Sequence, residues 1–570
     1  MIKVSFLTCF ICAFMIMSFN GLSFGQGNAP DYTSKVPFYR FGTTFQEQEE
    51  QLKTNPLLSR MNESRKKLLS DKFRPIYHYV NPEGNLNDPN GLCFWNGYWH
   101  LFYQGYPPED PRQHWGHAIS KDLVHWRDLP YAIYPNPERA VFSGSTLAEK
   151  DRVIAMYHGT MVGNMIAVSS DPLLLNWEKV TGNAVIPLKS PSGFALPYSV
   201  FDPCIWKKDS VYYSLSAGRM NTGPGGKPVR ANALYRSLDL SHWEFVHEFV
   251  EGDRLTLIGD DGACPYFWPI GDRYILNFFS HMSGGQYLIG DYDKKNDKFL
   301  VTSGGKYNHG AVGPGGVHAP SAAPDGKGGL IIIFNMNPGR PAEGWNQIMT
   351  LPRRLTLLSK DLIGQEPAGE LISLRFNEKH TGPIKLMANK EIVLNGISGN
   401  ALEISAEIDM LNSQVVEMNV LRSPGKEEYT RIIIYKEKGF TKGLEYNNGP
   451  ATAMMPADLT AQFTGNKSYA QGPRTQHSLL TIESTFSSTL PDVKIRPPET
   501  APFFLEQGKT VKLRIFVDKS VVEVFVNGIQ CAAIRVYPGR NDSVGVSVRS
   551  QGQDAELKSL DAWQMKSIYE

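Results

Sequence analysis

Two aspartates of this sequence stand in the same kind of local setting. Asp88 lies in the run NLNDPNG at residues 85–91, and Asp202 lies in the run FDP at residues 201–203. In each run a proline follows the aspartate, and proline favours an extended backbone at the preceding residue. Aromatic residues follow both runs, at Trp95, Trp99, Phe102, Tyr103 and Trp206. Two positioned carboxylates beside aromatic surfaces suit cleavage of a glycosidic bond, in which one carboxylate attacks or stabilises the sugar and a protonated group assists the leaving oxygen.

A purely structural interpretation of these runs stays open at this point. Asp88 is followed by Asn90 and Gly91, a pair that favours a tight turn, and an aspartate beside such a turn commonly caps it with its own side chain. The catalytic interpretation therefore depends on residues elsewhere in the chain.

The composition excludes one class of partner. The 570 residues include 58 lysines and arginines against 57 aspartates and glutamates, a formal net charge of +1, so we expect no nucleic acid partner. With 41% hydrophobic and 20% charged residues, the chain is typical of a globular protein. The aromatic share of 11% suits stacking against flat, weakly charged ligands.

The first 25 residues differ from the rest and predict a signal peptide. Lys3 is their only charge, an apolar run extends from Val4 to Phe19, and small residues precede Gln26. A membrane anchor is the alternative, but the run is shorter than the ~20 residues that a spanning helix needs. We therefore expect an exported protein, periplasmic or extracellular, without a membrane span.

The residue composition and pattern of the remaining chain change twice. Residues 26–75 form a lead-in whose segment Phe45 to Lys72 predicts helix, interrupted near Pro56. Residues 76–375 consist of short aromatic and aliphatic runs separated by glycine, proline, asparagine and aspartate, which is typical of β structure.

A motif recurs within residues 76–375 and indicates a β-propeller. It reads SKDLVHW at 120–126, SLDLSHW at 237–243 and, two residues longer, SSDPLLLNW at 169–177. Each copy follows a strand-like run, so a strand, a Ser/Asp turn and a tryptophan repeat together, as in the blades of a propeller. An irregular β domain with coincidental turns is the alternative.

Residues 376–570 predict a second β domain. Apolar and polar residues alternate in four segments, at Ala401–Ile408, Arg431–Tyr435, Val511–Val517 and Val521–Val526. The pair Asn527-Gly528 then favours a tight hairpin turn. Antiparallel strands with one buried face predict a β-sandwich.

These features together resemble glycoside hydrolase family 32, which includes invertases, levanases and inulinases. The resemblance covers about residues 74–570 and rests on the segments RPIYH at 74–78, NDPNG at 87–91, FYQ at 102–104, WGH at 115–117, FSGS at 142–145, DP at 202–203, CP at 264–265, LPRRL at 351–355 and FVDKSVVEVF at 516–525. It implies an all-β fold, a five-bladed β-propeller followed by a C-terminal β-sandwich. It also implies retaining hydrolysis of fructosides through a covalent intermediate.

The resemblance assigns roles to particular residues. Asp88 matches the nucleophile, and Asp202 matches the carboxylate that binds sugar hydroxyls and stabilises the transition state. The sugar-binding wall is matched by Asn87, Gln104, Trp115, Phe142 and Ser143. Asp518 and Glu523 match a motif of the sandwich, for which we expect a structural role.

Two positions depart from the family pattern. The family carries an arginine where this chain has Phe201, and its acid/base glutamate where this chain has Ala263, which cannot transfer a proton. On a strand, Asp261 and Ala263 would face the same side, ~6.6 Å apart, which makes Asp261 a candidate displaced acid/base. A plain turn at residues 260–262 is the alternative. His281 and His318 are further polar candidates near the pocket.

The sequence therefore favours an exported glycoside hydrolase that acts on β-fructosides or a related furanoside, with Asp88, Asp202 and Asp261 as its catalytic residues. The alternative is a non-hydrolytic carbohydrate-binding protein derived from this family, because Ala263 and Phe201 both depart from the pattern. Both functions take an oligo- or polysaccharide as ligand. We expect no metal and no cofactor, since no carboxylate cluster has calcium-loop spacing. The four cysteines beyond the signal peptide match no zinc pattern and are expected to be buried.

Overall fold

The computed structural model describes residues 31–194, 196–436, 477–506 and 508–569. The predicted signal peptide, residues 1–25, lies outside the described residues. Among the described residues, no helix has the length and apolar character needed to cross a membrane.

The lead-in contains two α-helices among its described residues, and the predicted interruption near Pro56 is confirmed. Helix α1, Phe45–Lys53, begins after Thr44, whose hydroxyl accepts a hydrogen bond from the backbone of Glu47 while the Glu47 carboxylate accepts one from the backbone of Thr44. This reciprocal capping satisfies two amides that the first helical turn leaves free. Helix α2, Pro56–Leu68, begins with the proline, which suits the first helical position.

In the described part of residues 85–367, the chain forms five sheets of four or five strands in succession and one two-stranded sheet. The strands are Asn85–Trp95 (β1), Tyr98–Tyr106 (β2), His114–Ser120 (β3), Arg127–Ile133 (β4), Val141–Ala148 (β5), Val153–Gly159 (β6), Gly163–Ser169 (β7), Glu178–Lys179 (β8), Ile186–Pro187 (β9), Pro203–Lys208 (β10), Val211–Ser216 (β11), Arg219–Met220 (β12), Val229–Arg230 (β13), Ala233–Ser237 (β14), Glu244–Glu248 (β15), Val250–Glu251 (β16), Ala263–Ile270 (β17), Arg273–Ser280 (β18), Gly284–Asp293 (β19), Lys298–Lys306 (β20), Val317–Pro324 (β21), Leu330–Met336 (β22), Ile348–Met349 (β23), Arg353–Ser359 (β24) and Leu362–Pro367 (β25).

The five larger sheets are arranged in a ring, as in a β-propeller. One edge strand of each sheet faces the centre, and these strands contact one another in the order β1, β5, β10, β17 and β21, with β21 returning to β1. Strand β6, the neighbour of β5, reads VIAMYHG, and every one of its residues is buried. Burial of both faces is expected for a strand that packs between neighbouring sheets.

The repeated motif takes the same place in three of these sheets. Ser120, Ser169 and Ser237 end the strands β3, β7 and β14, each the third strand counted from the centre. The aspartate two residues after each serine accepts hydrogen bonds from backbone amides of the following turn. The repeat is therefore a turn motif of the sheets, as the sequence predicts.

The C-terminal region is a sandwich of a seven-stranded and a six-stranded sheet among its described residues. Its strands are Arg375–Thr381 (β26), Ile384–Leu386 (β27), Ile392–Ser398 (β28), Ala401–Asp409 (β29), Val415–Arg422 (β30), Thr430–Tyr435 (β31), His477–Glu483 (β32), Glu499–Phe504 (β33), Val511–Asp518 (β34), Val521–Val526 (β35), Gln530–Arg535 (β36), Gly545–Gln551 (β37) and Ala555–Met565 (β38). Within the part of the chain that the structure describes, Pro224–Gly226 and Leu371–Leu374 form 3-10 turns.

The sequence signals of this region are confirmed. All four alternating segments form strands, and Ile404 and Val524 of one sheet share a core with Met418 and Val548 of the other. Asn527 and Gly528 turn between β35 and β36 with φ angles of +51° and +67°, the positive values that this hairpin turn requires.

Asp518 and Glu523 join the sandwich to the N-terminal region, so their predicted structural role is confirmed. Asp518 accepts hydrogen bonds from the backbone amides of three consecutive residues, 76–78, at 2.8–2.9 Å. The His78 ring lies between the two carboxylates, 3.0 Å from Asp518 and 3.2 Å from Glu523. Burial alone would lower the pKa of His78, but the bonds to the two carboxylates outweigh burial and raise this pKa.

Replacing Asp518 with alanine should destabilise the protein strongly. The substitution leaves three backbone amides and Nδ1 of His78 without their buried acceptor. Breaking a buried charged pair costs roughly 3–5 kcal/mol of unfolding free energy. Differential scanning calorimetry would record the loss as a lower transition temperature. Asp542→Ala is the control, because Asp542 pairs with Arg540 on the exposed surface and its loss should leave the transition in place. Equal transition temperatures for the two variants would contradict this role.

Candidate active site

The candidate site lies at one end of the ring, where the five inner strands begin. Asp88 is the fourth residue of β1, Ser143 the third of β5, and His318 the second of β21. Asp202 immediately precedes β10, and Ala263 is the first residue of β17. Residues that are far apart in the sequence therefore meet because each stands near the start of an inner strand.

Asp88 is held as a buried, ionised carboxylate. One of its oxygens accepts hydrogen bonds from the Ser143 hydroxyl at 2.6 Å and the Gln104 amide at 3.2 Å, and the other lies 3.1 Å from Nδ1 of His318. Burial would raise the pKa of Asp88, but the contacts with His318 and Ser143 outweigh it and hold the pKa below its usual value. A fixed carboxylate without a proton is suited to act as a nucleophile.

Asp202 lies in the same pocket as Asp88, but its pKa is shifted in the opposite direction. Burial and the negative charge of Asp88 raise the pKa of Asp202 to about 7. Its carboxylate accepts a hydrogen bond from the backbone amide of Cys264 at 3.0 Å. Two neighbouring carboxylates with separated pKa values are typical of sites that divide catalytic roles between them.

Cys264 connects the two carboxylates. Its sulfur lies 3.5 Å from Asp88 and 3.6 Å from Asp202, close enough for the thiol to donate a hydrogen bond to either. Burial and the two negative charges raise the pKa of the thiol well above its usual value, so it stays protonated. The prediction that the four cysteines are buried is confirmed, and all four are free. This linking position was missed, although Cys264 belongs to the CP segment of the family resemblance.

A network of side-chain amides borders Asp88. Asn87 donates to Gln104 at 3.2 Å and accepts from Asn335 and Gln347, both at 3.1 Å. Asn335 in turn donates to Gln347 at 2.7 Å. The structure thus brings the predicted Asn87 and Gln104 together and adds Asn335 and Gln347, which the sequence analysis missed. Asn335 follows the apolar run LIIIF of β22, and a polar residue at the end of such a run was the available signal.

The predicted sugar-binding wall divides into two layers. Phe142 and Phe201 are partly exposed, and their rings lie 6.3 Å and 5.2 Å from the ring of His158. Trp115 differs from the prediction, because it is fully buried and its indole N–H donates to the backbone carbonyl of Phe142 at 2.9 Å. Trp115 therefore supports Phe142 from behind, and Phe201 places an apolar ring at the position where the family resemblance implies an arginine.

The backbone at residues 260–263 differs from the extended strand on which the displaced-acid argument depended. Strand β17 begins only at Ala263, and Gly262 has a φ of +62°, which an extended strand does not adopt. Asp260 is fully buried and accepts hydrogen bonds from the side chains of Ser280 at the end of β18, Ser283 in the turn after it and Gln286 of β19. Asp260 is thus a structural residue, and strand alternation does not decide where Asp261 points.

Asp261 forms a compact ion-paired group with His281 and Arg219. Its carboxylate lies 2.6 Å from Nδ1 of His281, accepts from the His281 backbone amide at 3.2 Å, and lies 3.2 Å from the Arg219 guanidinium. Burial would raise the pKa of Asp261, but His281 and Arg219 outweigh burial and lower it. Asp261 is therefore ionised. Its predicted role as acid/base stays a prediction.

The described residues contain no group of three or more histidine, cysteine or acidic side chains arranged to hold a metal ion. What they do contain is an ionised carboxylate, a second carboxylate with a raised pKa, donors that fix both, and an aromatic wall. This arrangement can attack a sugar carbon and stabilise the positive charge that develops on it.

Comparisons with known proteins match both regions of this chain to one family of enzymes. The sequence model of the glycosyl hydrolases family 32 N-terminal domain matches residues 78–367, and that of the family 32 C-terminal domain matches residues 370–564. A levanase of Bacillus subtilis (strain 168) is 27% identical over 540 residues, which are 88% of this chain and 71% of the levanase. A fructan 6-exohydrolase of Beta vulgaris is 24% identical over 560 residues, which are 87% of each chain.

Solved structures share the fold. The crystal structure of fructan 1-exohydrolase IIa from Cichorium intybus matches with a TM-score of 0.72 at 20% identity, over 87% of this chain and 98% of that one. A sucrose-6-phosphate hydrolase from Lactobacillus gasseri matches with a TM-score of 0.66 at 21% identity, over 90% of this chain and 97% of that one. The propeller region coincides with the match to the N-terminal domain, and the sandwich coincides with the match to the C-terminal domain. The chain therefore belongs to glycosyl hydrolases family 32.

Proposed function

We propose that this protein is an exported glycoside hydrolase that cleaves β-fructosides or a related furanoside. The observation that carries the proposal is the coupled pair of Asp88, ionised and fixed by three side chains, and Asp202, whose pKa is raised to about 7. The predicted signal peptide supports export. We also propose that each of the five sheets is one blade, so that the pocket opens at the end of a five-bladed propeller.

In the proposed reaction Asp88 attacks the anomeric carbon of the fructosyl unit, and Asp202 stabilises the positive charge that develops on the sugar ring. Asn87, Gln104 and Ser143 border this pocket and offer hydrogen bonds to the sugar. The leaving oxygen needs a proton, and the residue at the family position is Ala263. We assign proton transfer to the group around Asp261.

The test is hydrolysis of a defined panel of sugars. Purified protein would be incubated with sucrose, inulin, levan and a β-fructofuranosyl fluoride, and the products separated by chromatography. Release of fructose or fructo-oligosaccharides from at least one of them is the expected result. Intact substrates throughout, with a correctly folded protein, would overturn the proposal.

The second candidate is a carbohydrate-binding protein that has lost catalysis, and Ala263 is the observation that favours it. Isothermal titration calorimetry against the same sugars separates the two functions. Saturable binding of a sugar that is never cleaved would support the binding protein, and turnover of that sugar would exclude it.

A further inference from the structure

The place of the missing glutamate is filled by an aromatic ring from the neighbouring strand. Ala263 of β17 pairs with Phe279 of β18, and residues paired directly across antiparallel strands point to the same face. Ala263 and Phe279 accordingly pack in one apolar cluster with Cys264 and Ala319. Neither Ala263 nor Phe279 can donate a proton, so the position beside Phe279 is the next candidate for an acid.

His281 occupies that position. It lies two residues after Phe279, immediately past the end of β18, and the two rings are 5.3 Å apart. The His281 ring is also 6.2 Å from the ring of His318, whose Nδ1 lies 3.1 Å from Asp88. One histidine ring thus separates His281 from the proposed nucleophile.

Asp261 fixes the orientation of His281. It binds both Nδ1 and the backbone amide of His281, at 2.6 Å and 3.2 Å. With Nδ1 occupied, Nε2 points away from Asp261, and no hydrogen bond to Nε2 is found among the described residues. The His281 side chain is 56% exposed, so Nε2 is accessible to a ligand.

The charges around His281 favour its protonated form. The bond to Asp261 raises the pKa of His281, burial opposes this to a lesser degree, and the charges of Asp261, Asp88 and Asp202 add to the rise. Arg219 is the nearby cation and is itself paired with Asp261. Asp261 already accepts bonds on both oxygens and is ionised, so the proton of this pair resides on the imidazole.

We propose that His281 is the proton donor of this enzyme, in place of the glutamate that its family carries at position 263, and that Asp261 is its positioning residue. The inference rests on the proposed hydrolase function of the same pocket. Asp261 then acts by orienting His281 and is not itself the proton donor.

The two chemical steps balance with these residues. As the Asp88 carboxylate forms a bond to the anomeric carbon, the glycosidic bond breaks, and its electron pair stays on the leaving oxygen, which takes the proton from Nε2 of His281. A water molecule then attacks the anomeric carbon and gives one proton to the neutral His281 while the bond to Asp88 breaks. The enzyme returns with Asp88 ionised and His281 protonated, and one glycosidic bond has been hydrolysed.

The test compares two leaving groups in the His281→Gln variant. We expect kcat/KM for the natural fructoside to fall about 10²–10³-fold, within the range of general acid catalysis. We expect kcat/KM for β-fructofuranosyl fluoride to change only a few-fold, because fluoride departs without protonation. His242→Gln is the matched control, since His242 pairs with Asp239 at 2.8 Å in the same way but lies exposed on another part of the propeller. It should behave as the wild type.

The Asp261→Asn variant distinguishes the positioning role from a direct acid role. If His281 is the acid, removing the neighbouring charge lowers the pKa of His281, and the alkaline limb of the kcat/KM profile moves to lower pH without disappearing. Loss of that limb in Asp261→Asn, together with unchanged cleavage by His281→Gln, would overturn the proposal in favour of Asp261.

The outcomes also separate this inference from the proposed function. A wild-type protein that cleaves neither the fluoride nor any fructoside would refute both. A wild type that cleaves both substrates, with a His281→Gln variant that loses the two activities equally or keeps both, would refute the role of His281 alone.

Discussion

Asp88→Asn is expected to lower kcat for fructoside hydrolysis by a factor on the order of 10⁴–10⁶, as the loss of a catalytic nucleophile does in other hydrolases. Asparagine has nearly the same shape as aspartate and can keep a hydrogen bond with Ser143, but it lacks the negative charge that attacks the sugar. The loss should therefore appear in kcat, while sugar binding persists. Product release would be followed by chromatography, and binding by calorimetry.

The control for this prediction is Asp151→Asn. Asp151 lies exposed in the turn between β5 and β6 and should leave kcat unchanged. Turnover of Asp88→Asn at the wild-type rate would show that Asp88 is not the nucleophile, and loss of turnover in both variants would point to a general defect.

Asp202→Asn should have the second largest effect, because it removes the charge that stabilises the sugar cation. We expect kcat/KM to fall by about 10³-fold or more, by comparison with other charged groups in catalytic sites. The shape of the pH profile should change as well. Asp202 must be ionised to stabilise a positive charge, and its pKa is about 7, so wild-type activity should fall as the pH drops below about 7.

In Asp202→Asn the acidic limb near pH 7 should disappear, because Asp202 is the group that titrates there. The residual activity should extend to lower pH, because Asp88 keeps a low pKa. The profile of kcat/KM against pH records the change. Asp209→Asn is the control from the turn of the same hairpin, where the residue is exposed and has a φ of +55° that asparagine accepts. An unchanged acidic limb in Asp202→Asn would contradict the assignment.

Local sequence patterns predicted the elements of the fold well. The Ser-Asp-Trp motif marks a turn that is fixed by hydrogen bonds within a few residues, so the motif forms the same kind of turn in three sheets. The Asn527-Gly528 turn and the alternation of β29, β31, β34 and β35 likewise depend on near neighbours in the chain. Asp88 and Asp202 were found because a following proline and nearby aromatic residues are visible in the sequence.

The same patterns were less informative about the site. Strand alternation gave no guide to Asp261, because the backbone turns at Gly262 before the strand begins at Ala263. Trp115 was expected at the sugar surface, yet its large apolar ring is fully buried behind Phe142. Burial depends on what packs against a residue from other sheets, which a single segment of sequence does not contain.

The sequence by itself determined the family and the all-β elements, since these depend on residue types and short spacings. It also predicted Asp88 and Asp202 as the two principal carboxylates. Only the tertiary structure decided that Cys264 links Asp88 to Asp202 and that His281, held by Asp261, lies beside Phe279, the strand partner of Ala263. Closure of the ring brings the starts of strands from all five sheets together. Contacts of that kind join residues 55 to 230 positions apart, as from Asp88 to Ser143 and from Asp88 to His318.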